Sequence, residues 1–134
     1  MTAVSVESVL EQLSACSPVM RVELKKLADE WEPEVAPATV TFGALGTSLS
    51  AEILRVDTCA LECICHVIEQ ALSEGSESAK NAVATGLLEA VLSAADSNPE
   101  TARFLKMLGP LSRKYCQDWD GFCGCHTPGV WLGE

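Results

Sequence analysis

Residues 57–75 read Asp-Thr-Cys-Ala-Leu-Glu-Cys-Ile-Cys-His-Val-Ile-Glu-Gln-Ala-Leu-Ser-Glu-Gly. Cys59, Ala60, Leu61, Cys63, Ile64, Cys65, Val67, Ile68, Ala71 and Leu72 cover most of the circumference of a helix. Glu62, His66, Glu69, Gln70 and Ser73 leave one polar strip. A helix so apolar needs cover on several sides, so neighbouring segments are expected to pack around it. Asp57 fits its N-cap and Gly75 its C-terminal stop.

Working outward, the N-terminal side offers two amphipathic helices. Val6, Val9, Leu10 and Leu13 share a face of residues 4–15, and Ser5 or Thr2 suits the cap. Ser17-Pro18 is a cap followed by proline at the first helical position. Met20, Leu24, Leu27 and Trp31 then form a stripe that ends at Glu32-Pro33. Residues 33–47, punctuated by Pro33, Pro37, Gly43 and Gly46, read as irregular, with Val40-Thr41-Phe42 a short extended piece at most. A short helix follows from Ser48 or Ser50 to Arg55.

On the C-terminal side, Ser76 or Ser78 opens a helix reaching about Ala95. Ala82, Gly86 and Ala90 on its packed side call for a close helix approach. The short Gly75 turn makes it an antiparallel neighbour of the central helix. Asn98-Pro99 caps a helix to Leu108, with Asn98 as the cap. Pro110 begins the last, to about Trp119, with Leu111, Tyr115 and Trp119 four residues apart. The glycine-rich tail carries Phe122 and Trp131, aromatics that imply it is tied down over the core. The expected fold is all-α: about six helices in antiparallel hairpins, a compact HEAT-like helical bundle with no significant sheet. The chain has 134 residues, enough for one domain with one core, read as a single helical domain over 1–134.

Charge bounds the partners. Lys and Arg total 9 against 19 Asp and Glu, a formal net charge of −10. Nucleic acid and anionic lipid are poor partners for such a surface, and a basic protein is a good one. Arg103, Lys106, Arg113 and Lys114 make a small basic island, available to the acidic body or to a second ligand. No apolar run approaches the ~18 residues of a membrane span. The opening Met-Thr-Ala-Val-Ser-Val-Glu has no basic and apolar leader, so a cytoplasmic location with reduced cysteines is expected.

The cysteines are the main chemical candidates. Cys59, Cys63 and His66 fall on one helix face, and a further ligand from Cys123, Cys125 or His126 would complete a tetrahedral zinc site or a thiol-based sensor. Against that, free cysteine is commonly a small buried hydrophobe, and the thiols of a helical Cys-X-Cys point apart. Cys116 has Asp118 and Asp120 nearby, which raise a thiol pKa and so oppose nucleophilic use. His66 reads as a surface or partly buried polar residue. Glu62 and Glu89 read as solvent-strip residues of their helices rather than a carboxylate pair. No phosphate loop and no His-Glu-X-X-His is present. The resulting expectation is no catalytic residue, no cofactor and no resident metal.

Leu108-Gly109-Pro110-Leu111-Ser112-Arg113-Lys114-Tyr115-Cys116, then Trp119-Asp120-Gly121-Phe122 and Thr127-Pro128-Gly129, resemble the ending of a small bacterial family of helical proteins, a domain of unknown function. Residues 81–90 share in the resemblance, which spans roughly 53–131. In that pattern the position of Cys123 is often threonine and that of Cys125 is not typically cysteine, which weakens a metal site. The resemblance implies no catalytic residues. It marks Arg113, Tyr115, Trp119, Asp120 and Thr127 as pattern positions: the two aromatics filling the groove under the tail, Asp120 capping a turn, Arg113 pairing with Asp120 or the acidic body. Members are similar in size to immunity proteins of bacterial toxin systems. The functional expectation is a non-enzymatic protein-interaction domain, immunity-like, monomeric or homodimeric, binding a basic protein partner.

Overall fold

The computed structural model describes residues 2–131, and every regular element in them is helical. In chain order these are α1 (Val6–Cys16), α2 (Pro18–Trp31), α3 (Ala38–Ala51), a 3-10 turn (Ile53–Arg55), α4 (Thr58–Glu74), α5 (Glu77–Asn81), a π-helical segment (Ala82–Leu88) and α6 (Glu89–Ala94). A 3-10 turn (Pro99–Thr101), α7 (Ala102–Leu105) and α8 (Pro110–Cys123) follow. The all-α expectation holds. Among the described residues, no helix is long and apolar enough to cross a membrane.

Local chemistry set four of the helix starts. The Ser5 and Ser17 hydroxyls accept from the backbone N–H groups of Ser8 and Val19 at 3.1 and 3.2 Å. The Asp57 carboxylate accepts from Ala60 N–H at 2.8 Å, and the Ser76 hydroxyl from Ala79 N–H at 3.1 Å. Each satisfies a donor that a helix N-terminus leaves unpaired. Asn98 departs from this pattern. It makes no side-chain cap, and its amide donates to the Ser50 carbonyl instead.

The largest departure is α3, which replaces most of the stretch read as irregular. Its buried residues are Thr41, Phe42, Leu45, Gly46, Leu49 and Ser50. They follow helical spacing, yet half of them are polar or glycine, so hydrophobicity alone shows no period there. Space explains the glycines. A Cβ on Gly46 would lie 2.5 Å from the Leu87 carbonyl oxygen and 2.8 Å from the Ala90 Cβ; one on Gly86 would lie 2.7 Å from the Phe42 Cβ. The α3 backbone therefore runs directly against the π-helical segment and α6. This is the close approach expected around Gly86, and the partner is α3. Gly75 likewise ends α4 by lack of space: its backbone is extended (φ −74°, ψ 159°) and a Cβ would strike the Ala71 carbonyl. Val4 bridges this point, donating to the Glu74 carbonyl at 2.9 Å and accepting from Ser76 N–H at 2.8 Å.

One continuous core unites these elements. Leu13 and Met20 from the first two helices, Phe42 and Leu49 from α3, Leu61, Ile64 and Ile68 from α4, Leu87 and Phe104 are all fully buried. A disulfide joins Cys16, at the α1–α2 junction, to Cys63 on α4, with the Cα atoms 5.6 Å apart. The expectation of uniformly reduced thiols is corrected here. Neighbours along one helix cannot bridge readily, but a cysteine 47 residues away can be brought alongside by folding.

Two stability measurements follow. Gly46→Ala and Gly86→Ala are each expected to lower stability by about 1–3 kcal/mol through overpacking. Gly43→Ala, whose Cβ would meet nothing nearer than the Gly86 carbonyl at 3.9 Å, should be neutral or stabilising by up to ~1 kcal/mol. Urea midpoints of the three variants check this contrast. Cys16→Ser should cost about 4 kcal/mol under oxidising conditions, from loop entropy over the 47-residue separation, and nothing once the parent chain is reduced.

Candidate functional site

Helix α8 carries a charged face at Arg113, Cys116 and Asp120, three and four residues apart, and all three are buried. Glycine-rich residues 124–131 fold back over that face. Asp120 accepts from Thr127 N–H at 2.7 Å, from the Thr127 hydroxyl at 2.6 Å and from the Trp131 indole at 2.9 Å. Arg113 does not pair with Asp120 or with the acidic body. Its guanidinium donates to the carbonyls of Gly129 (2.9 Å) and Val130 (2.6 Å) in the tail. It also reaches Leu105 (3.0 Å), Lys106 (2.9 Å) and Leu108 (3.4 Å) at the end of α7. A helix end leaves such carbonyls without partners, and the planar five-donor guanidinium fits the cluster. Gly129, at φ 92°, has no room for a side chain because a Cβ would lie 2.7 Å from the Ala102 carbonyl oxygen.

The tail is thus tied down as expected, with Val130 fully buried and Trp131 packed at the edge of the core. Asp120 holds the turn as expected. Phe122 is the exception: it lies on α8, which continues to Cys123, and is 91% exposed. Tyr115 and Trp119 pack against the core, and the Tyr115 hydroxyl donates to the Glu89 carboxylate. Burial first, and then the carboxylate beside it, push the Tyr115 pKa up. Glu89 therefore has a specific partner rather than only solvent.

Glu69, read only as part of a polar strip, caps α8 from outside. Its carboxylate accepts from Leu111 N–H (2.8 Å), Ser112 N–H (3.0 Å) and the Ser112 hydroxyl (2.7 Å). Burial pushes its pKa up, but the three donors together outweigh burial and hold it below the ordinary 4.5. A contact 42 residues away gives no signal in sequence spacing.

Three of the four residues of the basic island are engaged within the chain, and Lys106 is exposed. Arg113 is buried in its carbonyl cluster. Arg103 donates to the Ile53 carbonyl at 3.4 Å and to that of Val56, and Lys114 pairs with Asp118 at 2.6 Å.

The candidate metal ligands are dispersed. Cys63 is bonded to Cys16, Cys59 is exposed, and His66 is exposed at the mouth of a small cavity with Glu62, Cys65 and Glu69. Cys123 ends α8 and Cys125 lies on the tail, both exposed, and His126 stacks on Trp131 with ring centres 5.6 Å apart. Among the described residues, no three His, Cys, Asp or Glu side chains come together where one metal ion would bind them. Cys65 and Cys116 are buried, and burial pushes both thiols up to about 12; for Cys116, Asp120 adds to the rise and Arg113 opposes it. Neither is a ready nucleophile.

A further feature is an apolar groove between α1, α2, α3 and the 34–36 connection. Leu10, Leu24, Leu27, Ala28, Val35 and Thr41 line a cavity of about 200 Å³ there with Glu34, and Val35 is 89% exposed at the rim. An adjoining cavity shares Leu10, Val35 and Thr41 with it and adds Val6, Ala38 and Glu7.

These features define an all-helical domain with a buried charged clamp on its last helix and an open apolar groove at its N-terminal end. The chain belongs to a family described as a domain of unknown function (DUF7674), whose model matches residues 10–124. No curated protein and no solved structure shows a significant match to it.

Two measurements check the clamp and the cap. Asp120→Asn should cost about 2–3 kcal/mol, since a hydrogen bond to a charged group is worth roughly 1.5–3 kcal/mol. It should also shift Trp131 emission in a chain with Trp31 and Trp119 replaced by Phe. Glu69 stabilises the fold fully above the ordinary carboxylate value of 4.5, and that contribution drains as pH falls through its lowered native pKa. Glu69→Gln should remove this acid-dependent component, seen as a flatter dependence of the urea midpoint below about pH 5.

Proposed function

We propose that this chain is a non-enzymatic protein-interaction domain that receives a basic, amphipathic segment of a partner protein in the groove between α1, α2 and α3. The observation that carries this is an apolar groove with acidic side chains in its lining. Leu10, Leu24, Leu27 and Val35 offer apolar contact, and Glu7 and Glu34 border it. Among the described residues neither glutamate has an ion pair.

The charge balance supports the same reading. A net charge of −10 steers basic partners. Much of the positive charge is already held within the chain: Arg113 and Arg103 on carbonyls, and Lys25, Arg55, Lys80 and Lys114 against neighbouring acids. On this reading the domain acts by covering a basic surface, as an immunity-like inhibitor of bacterial origin would. A HEAT-like stacking of hairpins with the groove on one face belongs to the same reading.

Selection from a random-peptide display library on the immobilised chain tests it. Enriched peptides should be basic, with apolar residues at helical spacing. Their affinity should fall steeply with added salt and should fall measurably on Val35→Asp, which replaces apolar contact at the rim of the groove with a charge that must be desolvated. Val35 is exposed, so that variant leaves the fold intact. Enriched peptides without basic residues, or binding indifferent to Val35→Asp, would overturn the assignment.

A further inference from the structure

Two cysteines stand apart from the rest. Cys123 ends α8, Gly124 turns left-handed at φ 70°, and Cys125 N–H donates back to the Asp120 carbonyl at 2.8 Å. Both residues are exposed. The Cys125 thiol lies 3.7 Å from the Cys123 carbonyl oxygen. The turn is held at both ends, by the last turn of α8 and by the Asp120–Thr127 bonds. Gly124 between them has open space around it, so no neighbouring side chain or backbone stands against the turn there. Cys125 also lines a cavity of about 250 Å³ with Leu92, Ser93, Asp96, Trp119, His126 and Thr127. The other cysteines lack this combination: Cys16 and Cys63 are bonded, Cys65 and Cys116 are buried, and Cys59 is a single thiol on α4.

We propose that Cys123 and Cys125 form a thiol–disulfide exchange site whose substrate is a low-molecular-weight disulfide seated beside Cys125 in the Trp119–His126 cavity. Cys125, as its thiolate, attacks one sulfur of the substrate. The substrate S–S bond breaks, and the first thiol leaves with the electron pair and takes up a proton. Cys123, as its thiolate, then attacks the Cys125 sulfur of the mixed disulfide, and the second thiol leaves in the same way. Two protein thiols are oxidised to one disulfide, one substrate disulfide is reduced to two thiols, and two protons pass from protein to products. Desolvation, followed by the adjacent Cys125 thiol, raises the Cys123 pKa. Cys125 lines the cavity and so meets the substrate first, and Cys123, two residues away, is placed for the second step by proximity. Asp96 in the cavity and the net charge of −10 favour substrates carrying positive charge. The site shares no residue with the groove between α1, α2 and α3, so it is tested separately.

The experiment uses the full chain with Cys59→Ser, incubated with cystamine or oxidised glutathione and read by intact mass and peptide mapping. The expected result is loss of two hydrogens on the peptide holding Cys123 and Cys125. Cationic cystamine should react at least several-fold faster than anionic glutathione disulfide, by a margin that narrows with salt. Cys123→Ser should stop at one stable adduct on Cys125, and Cys125→Ser should react far more slowly. Circular dichroism confirms that each variant is folded. Separate adducts on both cysteines without ring closure, unchanged thiols, or equal reactivity of the two single variants would overturn the proposal.

Discussion

The backbone of α3 lies against the backbone of residues 82–90, and the rest of the fold depends on that contact. Gly46 faces the Leu87 carbonyl, and Gly86 faces Phe42 and the Thr39 carbonyl. With no side chain between them, the two segments approach more closely than side-chain packing alone permits. The dense contact lets Phe42, Leu45, Leu49, Val83, Leu87 and Val91 share one core with α4. The π-helical stretch Ala82–Leu88 sits at the crossing.

The C-terminal third solves a different problem. Phe104 and Leu105 of the short α7 and Val130 of the glycine-rich tail are buried in the core, and the backbone carbonyls around them need partners as well. Helix α8 supplies two buried charges of opposite sign and sends them to different partners. The cation collects carbonyl oxygens from α7 and the tail, and the anion collects donors from the same tail. Direct pairing of Arg113 with Asp120 would satisfy the ions but leave those backbone groups buried without partners, which is the more expensive arrangement. The same clamp fixes the position of Cys125 and so gives the exposed thiol pair a defined geometry.

The two ends of the molecule therefore have distinct characters. The N-terminal end presents apolar side chains bordered by acids, suited to a protein surface of opposite charge. The C-terminal end presents two thiols beside an aromatic-walled cavity, suited to sulfur chemistry. Between them, the Cys16–Cys63 bond links the α1–α2 junction to the central helix.

The sequence by itself determined the helical class, the central helix and the starts capped by Ser17 and Asp57, and narrowed two others to Ser5 or Thr2 and Ser76 or Ser78, because those signals act within one or two turns of chain; the structure selects Ser5 and Ser76. It also marked the packed small residues around Gly86 and the tied-down tail. Helix α3 escaped notice because its buried face mixes Thr41, Gly46 and Ser50 with Phe42, Leu45 and Leu49. A stripe defined by size rather than hydrophobicity has no hydropathy period. Only the tertiary structure decided which chain segments meet: Gly46 with Leu87, Cys16 with Cys63, Glu69 with the start of α8, and Arg113 with carbonyls rather than with Asp120. The reason is physical. Caps and amphipathic stripes are written in local spacing. The partner of a buried charge, a thiol or a missing side chain is set by whichever distant backbone the fold carries to it.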